Sequence, residues 1–339
     1  MTPLNRRRLA AFRSSKRGMY SLAVFSVLFF LSLFAELLAN DKPILIYYDG
    51  GFYSPMMRDY PETTFGGDFP TTTIYTDQEV QKLIEAKGWI LWPPIPYSYN
   101  TVLKGEDRKA LQPPSWRHPL GTDDQARDVL ARLIYGFRIS VLFGLALTLL
   151  SSIVGIVAGA IQGYFGGLTD LSIQRFMEIW SSMPTLYLLI ILASFIQPGF
   201  WVLLGIMLLF SWMALVGLVR AEFLRGRNFD YVRAARALGM MDARIMFRHI
   251  LPNAMTASLT YLPFILAGSV TTLTSLDFLG FGLPVGSPSL GELLLQGKNN
   301  LNAPWLAFTG FIIIALMLSL LVFIGEAVRD AFNPRKVLV

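Results

Sequence analysis

Apolar residues gather into six runs along the chain, each close to the length of about 20 residues that crosses a bilayer as an α-helix. They cover Met19–Ala39, Phe137–Gln162, Phe176–Ile196, Phe200–Val219, Ala254–Leu276 and Trp305–Ala327. Lipid offers no partner to an open backbone edge, so every run is expected to be helical. The predicted fold class is an all-α polytopic membrane protein with about six spans. The pattern divides the chain into a start over 1–18, a span over 19–39, an insert with an interfacial helix over 40–136, a core of five spans over 137–327, and a tail over 328–339. Within the core, 220–253 is a polar connecting loop.

The polar stretches set an orientation. The start carries Arg6, Arg7, Arg8, Arg13, Lys16 and Arg17 with no acid. The 220–253 loop carries Arg220, Arg225, Arg227, Arg233, Arg236, Arg244 and Arg248 against Glu222, Asp230 and Asp242, and the tail carries Arg329, Arg335 and Lys336. The segment 40–128 is net acidic. Basic loops stay in the cytoplasm, which puts both termini and the 220–253 loop there and 40–128 outside. The first run can also be read as a secretory signal. Leu37, two residues before a break after Ala39, makes a poor small-x-small site, so the run reads as an anchor.

The insert has loop chemistry: "WPPIPYSY" at 92–99 and "QPPSWRHP" at 112–119 fix φ and remove donors. One short helix is expected over Asp77–Lys87, started by Thr76 or Asp77 as N-cap. The insert is either a docking platform or a packing lid. Trp89, Trp92 and Trp116 can alternatively mark a membrane interface. "GTDDQARDVLARLIYGFRIS" (121–140) predicts an interfacial helix, with Thr122 and Gln125 as a capping box and Asp123–Arg127 and Asp128–Arg132 as i,i+4 pairs.

Composition narrows the chemistry. The 339 residues are 53% hydrophobic and 15% charged, against about 25% charged in soluble domains. Cysteine is absent, and His118 and His249 are the two histidines, which argues against disulfides, thiolate metal sites and histidine acid–base centres. The +6 net charge is better read as topology than as nucleic-acid binding. Glu36, Arg175, Glu178, Asp277 and Glu326 all fall near run ends, so no central carboxylate marks a proton path. Sodium coupling through broken helices stays open. The chain has no GxxxxGK[ST] loop, so energy for pumping must come from another polypeptide. Gly144, Gly155, Gly159, Gly205, Gly217 and Gly268 suit close helix contact, and Pro184 and Pro263 suit kinks.

The loop itself reads "NFDYVRAARALGMMDARIMFRHILPN" over 228–253. Asp230 can cap a helix over Tyr231–Leu238, and Gly239 suits the left-handed residue that ends it. Asp242 can cap a second helix running to Pro252. Two short helices with a sharp corner form a knob for a partner's groove. By spacing alone a solvated connector reads equally well.

The loop resembles the cytoplasmic EAA-x3-G-x9-I-x-L-P loop of binding-protein-dependent ABC importer permeases. Arg233-Ala234-Ala235, Gly239 and Leu251-Pro252 stand at matching spacing, with Arg233 where the pattern has Glu and His249 where it has Ile. "HPLGTDDQARDVLARLIYGFRISVLFG", "GYFGG" (163–167) and "LDFLGFGLPVGSPSLGELL" (276–294) are similar to the peptide-importing branch, with Leu290 in place of a usual tryptophan. The long 40–117 insert is most similar to the permease of Yej-type importers, linked to peptides and the peptide-nucleotide antibiotic microcin C.

The resemblance implies a type I ABC importer permease fold and a transport role without catalytic residues of its own. It implies a pathway shared with a homologous second permease in the lipid bilayer. Cytoplasmic ATPases, two chains or one fused double ATPase, would bind ATP-Mg, while this chain would hold no cofactor or metal. A periplasmic binding protein would deliver cargo. The coupling residues would be Asp230, Tyr231, Arg233, Ala234, Ala235, Arg236, Gly239, Asp242, His249, Leu251 and Pro252, with Arg233 or Arg236 facing a carboxylate of the ATPase groove. A carrier or channel working without ATPases is the competing class.

Overall fold

The computed structural model describes residues 3–103, 109–196, 199–284 and 286–333, with the side chains of 3–5 and 193 outside the description. Arg335 and Lys336 of the basic tail lie outside the described residues. In chain order the elements are α1 (Pro3–Ser14), α2 (Lys16–Leu33), α3 (Ala35–Leu38), β1 (Leu45–Tyr48), β2 (Gly51–Tyr53), α4 (Gln78–Glu85), β3 (Gly88–Leu91), α5 (Val129–Phe165), α6 (Gly167–Ser182), α7 (Thr185–Phe195), α8 (Phe200–Ser211), α9 (Met213–Gly226), α10 (Asp230–Ala237), α11 (Asp242–Ile245), α12 (Leu251–Phe278), α13 (Leu290–Asn299) and α14 (Pro304–Phe332). The chain divides into two compact units, one of 1–27, 140–284 and 312–339, the other of 28–139 and 285–311.

Among the described residues, four helical runs are long and apolar enough to cross a membrane: α2, α5, Asp242–Phe278 and α14. A fifth is α8 with α9, a pair bent by 40°. The expected span Phe176–Ile196 is not one helix. It divides at Met183 and Pro184, whose ψ values of 137° and 94° are extended. The proline has no N–H to continue the ladder and disfavours helical geometry in the residue before it. Pro263, by contrast, lies inside the unbroken α12.

In the first unit α5 and α9 pack backbone against backbone. Gly155, Gly159 and Gly163, four apart on α5, face the carbonyls of Trp212, Val216 and Arg220, spaced four apart from the residue that precedes α9 into α9 itself. A Cβ on Gly159 would lie 2.7 Å from the Val216 oxygen and 2.9 Å from the Val219 Cβ. Gly144 is equally crowded, by Leu266 and Val270, whereas Gly205, Gly217 and Gly268 face open space. The small-residue pattern therefore serves helix contact at some of its positions only. An apolar core of Phe143, Leu147, Leu189, Leu203, Met207, Leu273 and Leu276 joins α5, α7, α8 and α12. Arg220 donates to both Asp170 oxygens (2.6 and 2.7 Å), pinning α6 to α9, and this ion pair holds the Asp170 carboxyl below its ordinary pKa.

The second unit holds more structure than the proline-rich insert suggests. β1 pairs antiparallel with β2 and β3 in the order β2-β1-β3. Asp49 and Gly50 both take positive φ (48° and 84°), the two-residue hairpin geometry that an Asp-Gly pair favours. Ile46 and Tyr48 alternate inward against Phe65, Tyr75, Val80 and Ile84. α4 begins as expected: the Asp77 carboxylate accepts from the Glu79 amide at 3.0 Å.

The expected helix over 121–140 starts late, at Val129. Asp123 accepts from the amides of Gln125 and Arg127 (2.9 and 2.8 Å), folding a turn where the capping box was expected. Such local side-chain bonds compete with helix. Thr122 accepts instead from the Gln112 amide (2.8 Å), and Asp128 accepts from the Ala131 amide as the real cap (2.8 Å). The Asp123–Arg127 pair forms at 2.7 Å, but across this turn. The expected Asp128–Arg132 pair does not form: Asp128 meets His118 at 2.8 Å and Arg132 donates to Glu292 at 2.7 Å. Glu292 also accepts from Arg127 (3.2 Å) and is aimed by the cap of α13, where Ser289 accepts from its amide (3.2 Å). Asp123, Arg127, Asp128 and Arg132 are all buried.

Candidate coupling surface

The loop after α9 is a surface with one side nailed down. α10 turns Val232 and Ala235 inward, where they join Phe223, Val219, Tyr164, Ile245 and Ile250 in a buried cluster. Burial of apolar area is the main anchor here, at about 25 cal/mol per Å². Gly226 lets Ile250 close on α9, since a Cβ there would sit 2.9 Å from its Cγ2. Asp230, Tyr231, Arg233, Ala234 and Arg236 stay exposed on the outer face, and Leu238 beyond the helix end is 87% exposed.

Gly239 ends α10 as expected, with φ at +75°. Its amide donates to the Arg236 carbonyl (3.0 Å) and the Met240 amide to the Ala235 carbonyl (3.1 Å). This pair of bonds is a Schellman closure, which satisfies the last carbonyls of a helix. A Cβ on Gly239 would meet nothing within 4 Å, so the requirement is its backbone angle alone.

Three loop expectations are corrected. Asp230 is not the cap: Phe229 takes that position without a side-chain bond, and Asp230 opens the first turn, where its charge still favours the helix dipole. Asp242 likewise follows the capping residue Met241. Its carboxylate is used elsewhere, accepting a hydrogen bond from the Tyr164 hydroxyl. The second helix does not stop at Pro252. α11 passes through a π-helical turn at Met246–Ile250 straight into α12, where Pro252 sits in the first turn. Pro252 has no N–H to donate within this continuous run, and the ladder widens to the π-helical turn just before it. The knob is therefore one short helix braced against the end of a long one.

The structure also separates the two arginines. Arg236 lies 5.2 Å over the Tyr164 ring. A hydrogen bond to that tyrosine raises the Arg236 pKa further, so its charge is permanent. Arg233 is exposed, and its side chain makes no hydrogen bond or ion pair among the described residues, while its amide donates to the Phe229 carbonyl at 3.1 Å. His249 is half-buried, its ring 6.4 Å from that of Tyr231, whose hydroxyl accepts from Asn253 at 3.3 Å. Leu251 is half-buried and Pro252 exposed. Sequence reasoning missed the role of Tyr164, which joins α5 to both Arg236 and Asp242; its place in "GYFGG" was the available signal.

Residues 132–337 match the family described as binding-protein-dependent transport system inner membrane component. The chain belongs to that family. The permease is 60% identical over 99% of its length to the peptidoglycan transport system permease protein YejE of Agrobacterium fabrum, covering 94% of that protein. It is 59% identical to the inner membrane ABC transporter permease protein YejE of Escherichia coli, over 99% of this chain and 98% of the relative. The oligopeptide transport system permease protein OppC of Lactococcus lactis is 37% identical over 71% of this chain and 86% of that one. The chain is thus a multi-pass inner-membrane component of a binding-protein-dependent transport system, with the mostly helical permease fold expected of it.

Proposed function

We propose that this permease imports peptides, peptidoglycan-derived fragments included, and that α10 is the part through which ATP hydrolysis moves it. The observation that carries the reading is the build of α10: an apolar face sunk into α5 and α9, a fixed corner at Gly239, and an outward face of Arg233, Ala234, Ala237 and Leu238. A partner gripping that face pulls on the spans directly. The cargo class is supported by the names of the relatives, which are permeases for peptidoglycan and oligopeptides.

On this reading the pathway is shared with a homologous second permease. ATPase chains, separate or fused, bind ATP-Mg in the cytoplasm, and this chain binds no cofactor. A periplasmic binding protein delivers cargo to the side of residues 40–128, and both termini lie in the cytoplasm. The ATPases bias the permease only if they contact its two states differently. Arg233, Ala234, Tyr231 and the Gly239 corner make the contact, while Ala235, Arg236, Asp242, His249, Leu251 and Pro252 hold the corner in place.

The test purifies the tagged chain in mild detergent and follows uptake of a labelled tripeptide and of a labelled muropeptide. A co-purifying second permease and ATPase, with ATP-dependent uptake, is the expected result. A chain that transports after self-association alone overturns the reading. Sidedness is read in the same cells from single cysteines at Thr72 and Arg225, in a chain that has none of its own. Thr72 should label from outside and Arg225 should not; the reverse removes α10 from the ATPases' reach.

A further inference from the structure

Beside the coupling surface, a cleft of about 600 Å³ opens at the C-terminal end of α5. Tyr164, Phe165, Arg227, Arg233, Arg236 and Asp242 line it. Three guanidinium groups face one carboxylate there, and that carboxylate is already engaged by Tyr164. The cleft therefore carries a surplus of positive charge. Two of the arginines are held in place from behind. Arg227 donates to the Tyr164 carbonyl at 3.3 Å and lies against Gly166, where a Cβ would come within 3.1 Å of its Cζ. Arg236 rests on the Tyr164 ring at 5.2 Å. The glycine of "GYFGG" thus makes the room in which the Arg227 head sits. This use of the motif is separate from the coupling role of α10.

A second cavity, of about 190 Å³, is lined by hydrophobic residues alone, Val157, Ile161, Met246, Phe247 and Leu251 among them. It shares two segments with the cleft, α5 and the run that begins at Asp242, at neighbouring turns. Val157, Ile161 and Phe165 succeed one another at i, i+4 and i+8 along α5, and residues at that spacing share a helix face. Asp242 and Met246 repeat the relation on the facing segment. A cationic cleft and an apolar trough thus lie at successive turns of α5 and of Asp242–Phe278, both helical runs of membrane-crossing length.

We infer that this is a binding site for one anionic phospholipid, its phosphodiester between Arg227 and Arg236 and the start of an acyl chain along Val157, Ile161 and Phe247. Planar guanidinium groups match phosphate oxygens in pairs, and they sit at the helix end, where headgroups lie. An acidic segment of a protein partner would satisfy the arginines, but it has no use for the trough. A lipid uses both. Charge complementarity selects an anionic headgroup over a zwitterionic one.

The test is native mass spectrometry of the full chain in mild detergent, titrated with phosphatidylglycerol or with phosphatidylcholine. Wild type should retain bound phosphatidylglycerol in clear preference to phosphatidylcholine, and millimolar inorganic phosphate should not displace it. Arg227→Gln with Arg236→Gln should lower phosphatidylglycerol occupancy roughly tenfold or more. Val157→Phe, which fills the trough without touching charge, should lower binding of both lipids. Monodispersity on size exclusion confirms that each variant is folded, and unfolded material is replaced by the single variant Arg227→Gln. Equal binding of the two lipids, displacement by inorganic phosphate, or undiminished binding in either variant overturns the proposal. Loss of a co-purifying ATPase with lipid binding unchanged assigns the cleft to a protein partner and overturns it as well. Because lipid is read on the chain alone, this result stands or falls separately from the coupling role.

Discussion

Two regions of this permease are rich in arginine, and they use it in opposite ways. Around α10 the apolar residues go inside and the charge stays out: Val232 and Ala235 are buried while Arg233 stands in solvent. Around the start of α5 the charge itself is inside. Arg132 has no exposed side-chain surface and meets Glu292 at 2.7 Å, with Arg127 and Asp123 beside it. An apolar anchor tolerates many outer faces, so it suits a surface that must meet another protein. A buried ionic cluster tolerates one arrangement only, because each charge is costly without its partner. The first region suits the gripping proposed for it, and the second is built to stay fixed.

The sharpest way to break the comparison is to remove one charge from the cluster. Glu292→Gln leaves Arg127 and Arg132 sharing Asp123, and an uncompensated buried charge costs about 3–5 kcal/mol. The variant should accumulate poorly and aggregate on detergent extraction, read by size exclusion and by heat-induced aggregation. Wild-type behaviour would mean that water reaches these arginines and that the cluster is no lock.

A smaller effect belongs to the corner of the coupling surface. Gly239→Val forces a β-branched residue into positive φ, at roughly 1–2 kcal/mol. Because nothing lies near that position, no clash adds to the strain. The chain should reach the membrane normally, lose most ATPase on co-purification and transport poorly. Gly239→Asn should recover both, since asparagine enters the left-handed region readily. Two variants that behave alike would show that size at the corner matters, and not its backbone angle.

The smallest expected effect on stability is that of Arg233→Gln. An exposed side chain with no partner contributes under about 0.5 kcal/mol to folding. Thermal stability should not move, while ATPase-stimulated uptake should fall and wild-type uptake should weaken with added salt. A stability loss comparable to that of Glu292→Gln would erase the distinction between the two regions.

The two regions also differ in how readable they were. The coupling corner was legible because a helix end is a local event. Gly239 stands one helix length after Asp230, and the stretch between them suffices to see the stop. The cap assignments at Asp230 and Asp242 failed because the neighbouring Phe229 and Met241 already take extended geometry, which leaves the carboxylates inside the helices. The β1–β2 hairpin was equally local, with "YYDGGFY" carrying the Asp-Gly turn between alternating residues, but the surrounding prolines masked it. Of the buried cluster only the short-range Asp123–Arg127 pair was legible. The cluster's decisive contact joins Arg132 to a residue 160 positions away, and short-range pairs on a helix were the only partners in view. Helix breaks were no more legible: Pro184 stands at a break and Pro263 inside an unbroken helix, though the two prolines carry the same local chemistry.

The glycine row of α5 bears on how force travels. Where helices touch through side chains, rotamers yield and absorb part of any displacement. Along Gly155, Gly159 and Gly163 the facing carbonyls of α9 leave no such cushion. The two helices therefore meet backbone to backbone over about two turns. If α10 is gripped as proposed, a push there should pass along this contact towards Trp212, where α8 and α9 meet at a 40° bend. That contact is set by three missing side chains.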